Sequence, residues 1–287
     1  MPSSGHDTAN PPVLATCTGN VAILRVTGNF APMENVRNTC MRAISVIALT
    51  MFPDKAAAEE PYFQSGFEDV SDFDNFYIVP ITPESSTSHR LDPDVKFDGD
   101  FSYHAWIKHR NDDSTLLQNA NHRAYPTVQF HKTDQGSLTT PVCVSINIWA
   151  DFDLQDRPHG LEDQWISLAT FTDDASDKWQ RTVLVNVSHD GLVHLQHTPH
   201  QGQQEHIFQS TNLRFPYRQW ITLEVELDFS SEGYAKAWLD GTLASHAHVR
   251  DVQNQLAQAH FGLYAAPSLA SGEIRNDDLS IVAGRCR

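Results

Sequence analysis

The sequence is poor in the residues that would tie it to several common functions. Of its 287 residues only 20 are Lys or Arg against 36 Asp or Glu, a net charge of -16, so no nucleic-acid partner held by phosphate neutralisation is expected. An anionic partner must instead be met by a local basic groove. No apolar run approaches the ~20 residues that span a bilayer, so no membrane segment is expected. There are four cysteines and no Cys-x-x-Cys spacing, which argues against structural zinc. Gly-x-Ser-x-Gly elbows, phosphate-binding glycine loops and dinucleotide fingerprints are absent. Segments of helical period are few. What is plentiful is turn chemistry, with 14 Gly and 15 Pro, and histidine, with 15 copies, a side chain suited to acid-base work near neutrality.

One short apolar run bears on the compartment. From Met41 the chain reads MRAISVIALTMFPDKAAAEE: a basic Arg42, about ten mostly apolar residues, then small residues ending at Ala58, the layout of a secretory signal. The same run would also suit a buried strand or helix. On the first reading residues 1 to 40 are not part of the mature protein, 41 to 58 are the signal peptide, and 59 to 287 are exported to a secreted or periplasmic location. Cys17 and Cys40 then go with the leader. Cys143 and Cys286 remain, and the sequence leaves open whether they pair.

From Glu59 onward, alternating apolar and polar runs are separated by Gly, Pro, Asn and Asp clusters, the pattern of antiparallel strands. Strands are expected at 101 to 109, 124 to 132, 142 to 152, 165 to 171, 181 to 187, 192 to 198, 220 to 229, 234 to 241 and 259 to 265. His189-Asp190-Gly191 and Asp240-Gly241 put glycine where a tight turn needs positive φ. So many strands imply an all-β domain of two packed antiparallel sheets, a jelly-roll sandwich. Alternation divides each strand into two rows. Arg123, Tyr125, Thr127, Gln129 and His131 share a face; so do His194 and Gln196; so do His260, Gly262 and Tyr264. A face of Arg, His, Gln and Tyr suits a concave sugar-binding surface, with flat rings for pyranose faces and fixed donors for hydroxyls and carboxylates.

The segment RQWITLEVELDFSSEGYAKAWLDGTLASH (218 to 246), with AHFGLYAAP and IRNDDLSI after it and GFEDVSDFDNFYIV (66 to 79) as an opening strand, resembles the concanavalin A-like jelly-roll polysaccharide lyases of the heparin, glucuronan and alginate lyase type. The resemblance spans 59 to 287. It implies a groove lined by an Arg-x-Glu, a Gln-x-His and a Lys-x-Gly-x-Tyr strand motif. Here Arg123 matches the first, with Tyr125 in place of the Glu. His194-Leu195-Gln196 carries the second in reverse order. His260-Phe261-Gly262-Leu263-Tyr264 matches the third with His for Lys.

Such lyases cleave a uronate-containing polysaccharide by β-elimination. The C5 proton is too weak an acid beside a free carboxylate, so the carboxylate must first be neutralised. That role falls to Arg123 with Gln196. Tyr264 is expected as acid and also as base, with His194 the alternative base. Tyr125, Gln129, His131, Asn147, Trp149 and His260 are expected to bind substrate. Trp149 is singled out among six tryptophans because it shares a row with Ser145, Asn147 and Asp151; Trp106, Trp165, Trp179, Trp220 and Trp238 read as core. Each choice has a passive counterpart: Arg123 as a surface ion pair, Tyr264 as core, His194 and Gln196 as cross-strand hydrogen bonders.

No catalytic cofactor is expected. His189, His194, His197, His200 and His206 alternate between faces and loops, a poor metal set. Structural calcium is the better expectation, held by Glu68 near the first strand and Asp278 near the last. Glu224 and Glu226 share a strand face, as glycosidase carboxylates do, but ELDFSSE departs from the Glu-x-Asp-x-x-Glu pattern. The sequence therefore points to a monomeric, exported polysaccharide lyase acting on an acidic glycan, with a noncatalytic lectin-like glycan binder as the rival.

Overall fold

The computed structural model describes residues 60–108, 120–152, 154, 164–200, 202–250 and 252–286. The expected leader and everything before it lie outside these residues. In chain order the strands are β1 (Phe63–Ser65), β2 (Phe76–Ile78), β3 (Thr87–Asp92), β4 (Ser102–Ile107), β5 (His122–Ala124), β6 (Pro126–Gln129), β7 (Leu138–Thr139), β8 (Val142–Phe152) and β9 (Trp165–Thr172). They continue as β10 (Thr182–Ser188), β11 (Val193–Thr198), β12 (His206–Phe208), β13 (Ile221–Asp228), β14 (Tyr234–Leu239), β15 (Thr242–His248), β16 (Gln255–Leu256), β17 (Gln258–Ala265) and β18 (Gly272–Ala283).

Two large antiparallel sheets carry the fold. The first runs β15-β14-β13-β8-β18-β4-β3 with β1 beside β18; the second runs β12-β11-β10-β9-β17-β6-β2 with β5 beside β17. Alternation explains the packing. In β13, Ile221, Leu223, Val225 and Leu227 are at most 1% exposed and join the core beside Val144 and Ile146 of β8, while Thr222 and Glu224 turn outward. The β14–β15 hairpin closes on Asp240 and Gly241, both at positive φ, the geometry of a two-residue type I′ turn. The Cys143–Cys286 disulfide ties β8 to the tail that follows β18.

Two expected strands are shorter than their patterns. The run 124 to 132 breaks into β5 and β6 and then turns into a 3-10 segment, Phe130–Lys132. The middle of 66 to 79 is likewise a 3-10 segment, Val70–Asn75, capped by the Asp69 carboxylate on Ser71 N–H, and its strand is Phe76–Ile78. Two register shifts fall in the second sheet against β9. One lies between Val185 and Asn186 of β10 against β9, the other between Phe261 and Tyr264 of β17 against β9. An inserted residue re-aims side chains locally, and this one brings Ser167 and Thr170, three apart in sequence, to within 3.1 Å of each other through their hydroxyls.

Candidate functional site: a groove across the second sheet

β17 is the spine of the site. Tyr264 stands opposite Arg123 of β5 on one side and Ser167 of β9 on the other; Ser167 faces Asn186 of β10, which faces His194 of β11. Residues directly opposite on neighbouring strands share a face, so these five form one row across the sheet. A second row runs Thr127, His260, Thr170, Leu184, Gln196. Over the rows lies a groove of about 840 Å³, with Tyr125, Trp165 and Trp179 among its walls. Arg123, His194, Gln196 and Tyr264, from three separate strands, all line it, as do Tyr125 and His260.

The groove has two chemically different ends. At the β17 end, Asn121 Nδ2 donates to the Tyr264 phenol oxygen at 2.9 Å, the Arg123 guanidinium lies 5.8 Å from the centre of the Tyr264 ring, and Trp165 meets that ring edge-on at 5.0 Å. Tyr125 stacks on His260 at 3.9 Å and 16°, with Trp179 against His260 at 4.8 Å. Burial pushes the Tyr125 hydroxyl up to about 12, against the opposing pull of Arg123, so it is a wall and a donor rather than a base. His260 is 6% exposed and neither ring nitrogen has a hydrogen-bond partner in the protein. Burial first, and then the Arg123 charge, lower its pKa to about 3, which keeps it a neutral imidazole.

At the β11 end, Asn186 Nδ2 donates to Gln196 Oε1 at 2.8 Å and Gln196 Nε2 donates to Glu205 Oε2 at 2.6 Å. His194 is buried, its pKa is lowered chiefly by that burial, and its Nδ1 lacks a partner. At ~4.8 Å per strand, three strand steps separate the His194 and Tyr264 backbones by about 14 Å. Alternation alone correctly groups each pair on one face, but it carries no information on how many strands lie between the pairs. The two ends of the groove are therefore separate clusters of side chains.

Other expected site residues lie elsewhere. Gln129 sits beyond the groove, hydrogen-bonded through Nε2 to Gln258 and Asp177. His131 belongs to the 3-10 segment that ends β6, and its backbone N–H bonds Ala257 O. Asn147 and Trp149 are in β8, in the opposite sheet. Asn147 accepts from Thr222 at 2.8 Å and donates to Asp278, and Trp149 lies 4.6 Å under the Arg275 guanidinium. Alternation assigns a face to each residue and says nothing of which sheet owns the strand. Conversely, Trp165 and Trp179 read as core in the sequence but wall the groove, and Asn121, Asn186 and Glu205 join them. Asn186 had a signal, being the one polar residue in the run Val183–Val187.

Glu68 and Asp278 do approach one another closely enough for Glu68 to raise the Asp278 pKa, behind burial and Asp98. Their oxygens are partly engaged already: Glu68 Oε2 accepts from Asp100 and Phe101 N–H, and Asp278 Oδ2 from Asn147. Among the described residues no group of three or more His, Cys, Asp or Glu side chains is placed to hold a metal ion. A calcium ion at Glu68 and Asp278 would need backbone or solvent oxygens for most of its six to eight ligands.

No protein-family model matches the sequence, and no curated protein is significantly similar to it. Solved structures do match. An endo-β-1,4-glucuronan lyase from the fungus Trichoderma reesei superposes with a TM-score of 0.56 at 13% identity, covering 78% of this chain and 96% of that one. The cellulose-induced protein Cip1 gives 0.48 at 12% identity over 78% and 98%, and alginate lyase Aly36B gives 0.45 at 12% identity over 81% and 95%. At such identities the likeness is one of fold alone: this chain is a jelly-roll β-sandwich.

Proposed function

We propose that the protein is an exported polysaccharide lyase that cleaves a uronate-containing glycan by β-elimination at the Arg123–Tyr264 end of the groove. The observation that carries this reading is the setting of Tyr264. An amide N–H is donated to its phenol oxygen and a guanidinium lies beside its ring, so the phenol oxygen is held in place next to the cation suited to gripping a carboxylate. Arg123 grips the substrate carboxylate, so that charge developing beside C5 is neutralised. The Tyr264 phenolate takes the C5 proton, the C4–C5 double bond forms, and the C4–O bond breaks. The same phenol then returns the proton to the leaving oxygen. His194 is too far along the groove to share that step, so base and acid are both assigned to Tyr264 and His194 to a neighbouring sugar. Gln196 moves with it, from carboxylate neutralisation to sugar binding.

The Cys143–Cys286 disulfide supports an oxidising, extracytoplasmic compartment. The rival reading is a glycan binder without catalysis. Incubating the purified chain with uronate polysaccharides and following ultraviolet absorbance of the unsaturated product separates the two. A rise supports the lyase; flat traces with measurable glycan binding support the binder.

A further inference from the structure

The β11 end of the groove carries a directional hydrogen-bond relay. Glu205 can only accept, so Gln196 must present its NH2 to Glu205 and its oxygen to Asn186, and Asn186 must present its NH2 to Gln196. The Asn186 oxygen is thereby left without a partner, on a residue only 2% exposed. Its register neighbour His194, 5% exposed, likewise holds an unpartnered Nδ1. Buried polar atoms that stay unpaired carry a desolvation penalty, and both of these line the groove, so a ligand is the natural source of their missing bonds.

The relay decides which ligand. A lone carbonyl oxygen accepts from a hydroxyl or an amide N–H and repels a carboxylate. Glu205 adds a full negative charge, with no ion-pair partner among the described residues; the other groove carboxylate, Asp177, is paired with Lys132 at 2.7 Å. We infer that Asn186, His194 and Glu205 form a subsite for an uncharged sugar, so that the substrate is a glycan in which a uronate at Arg123 is flanked along the groove by neutral sugars, not a continuous polyuronate. The inference rests on the uronate reading of the Arg123–Tyr264 end. It also accounts for an acidic protein, net charge -16, acting on a sparsely charged chain, since long-range repulsion grows with the number of substrate charges.

The test uses the full chain and two hexasaccharides of equal length, one carrying a single internal uronate among neutral hexoses and one built only of uronates. Binding is measured by calorimetry at low salt, and product by ultraviolet absorbance. The expected result is tighter binding of the singly charged chain by about tenfold or more. Glu205→Gln, an exposed position that leaves packing intact, should narrow that ratio at least ~fivefold by improving binding of the all-uronate chain. Equal or tighter binding of the all-uronate chain, with the ratio unmoved in Glu205→Gln, overturns the inference and leaves the lyase reading standing. The expected binding ratio without any unsaturated product overturns the lyase reading alone. No binding of either chain overturns both.

Discussion

Replacing His260 with Phe isolates the energetic consequence of holding a neutral imidazole inside the groove wall. In the fold its pKa is lowered to about 3 from 6.5. Between those values the unfolded chain carries a proton that the folded chain does not, so stability is fully present above pH 6.5 and is lost as the pH falls toward 3. At ~1.4 kcal/mol per pH unit, acidification from pH 7 to pH 4.5 removes about 3 kcal/mol through this one residue. His260→Phe keeps an aromatic ring between Tyr125 and Trp179 and, because neither ring nitrogen is bonded, breaks no protein hydrogen bond. At pH 7 the variant should match the parent to within ~1 kcal/mol. At pH 4.5 it should be more stable by about 3 kcal/mol. His89, His104, His194 and His197 are also shifted down, each with burial as the largest cause, so both proteins remain acid-labile and the difference between them is the readout. Urea denaturation at the two pH values measures it. Parallel losses of stability in the two proteins would refute the claim that burial, rather than the rest of the protein, sets the acid limb at His260.

Tyr264→Phe should lower kcat by ~100-fold or more with KM nearly unchanged, whereas Arg123→Ala should raise KM and lower kcat together; wild-type rates in both, followed by product absorbance, would remove the proposed centre. Gly262 sits at φ +104°, and a Cβ there would lie 3.0 Å from Ala124 O and from Tyr103 Cε1. Gly262→Ala should therefore cost about 2 kcal/mol and shift β17, reducing turnover as well as the thermal midpoint; an unchanged midpoint would contradict it. Cys143→Ser opens a bridge between residues 143 apart in sequence and should lose about 2–5 kcal/mol in denaturant titration, while an unaltered midpoint without reductant would show that the bridge contributes nothing.

Local pattern was enough to define the class of fold and the faces of its strands. The alternation in 142 to 152 became β8 residue for residue, and the groupings Arg123 with Tyr125, His194 with Gln196, and His260 with Tyr264 all fell on the groove side. The period of two is a property of the extended backbone itself, so it can be read from neighbours in sequence. It failed where the backbone departs from regular extension. The row ending in Gln129 and His131 was cut by the 3-10 segment at Phe130–Lys132, and the shifts opposite β9 re-aimed Ser167 and Thr170.

Strand adjacency belonged to the tertiary structure alone. It inserted β9 and β10 between Tyr264 and His194, sent Asn147 and Trp149 to the opposite sheet, and brought Asn121, Asn186, Trp179 and Glu205 to the groove from distant parts of the chain. Hydrogen-bonded pairing joins residues many positions apart, and which pairs form is decided by burial of both sheets together; no short stretch of sequence encodes it. The amino acids thus determined that a polar, ring-lined face would exist, and the order of the strands determined which of its groups stand side by side.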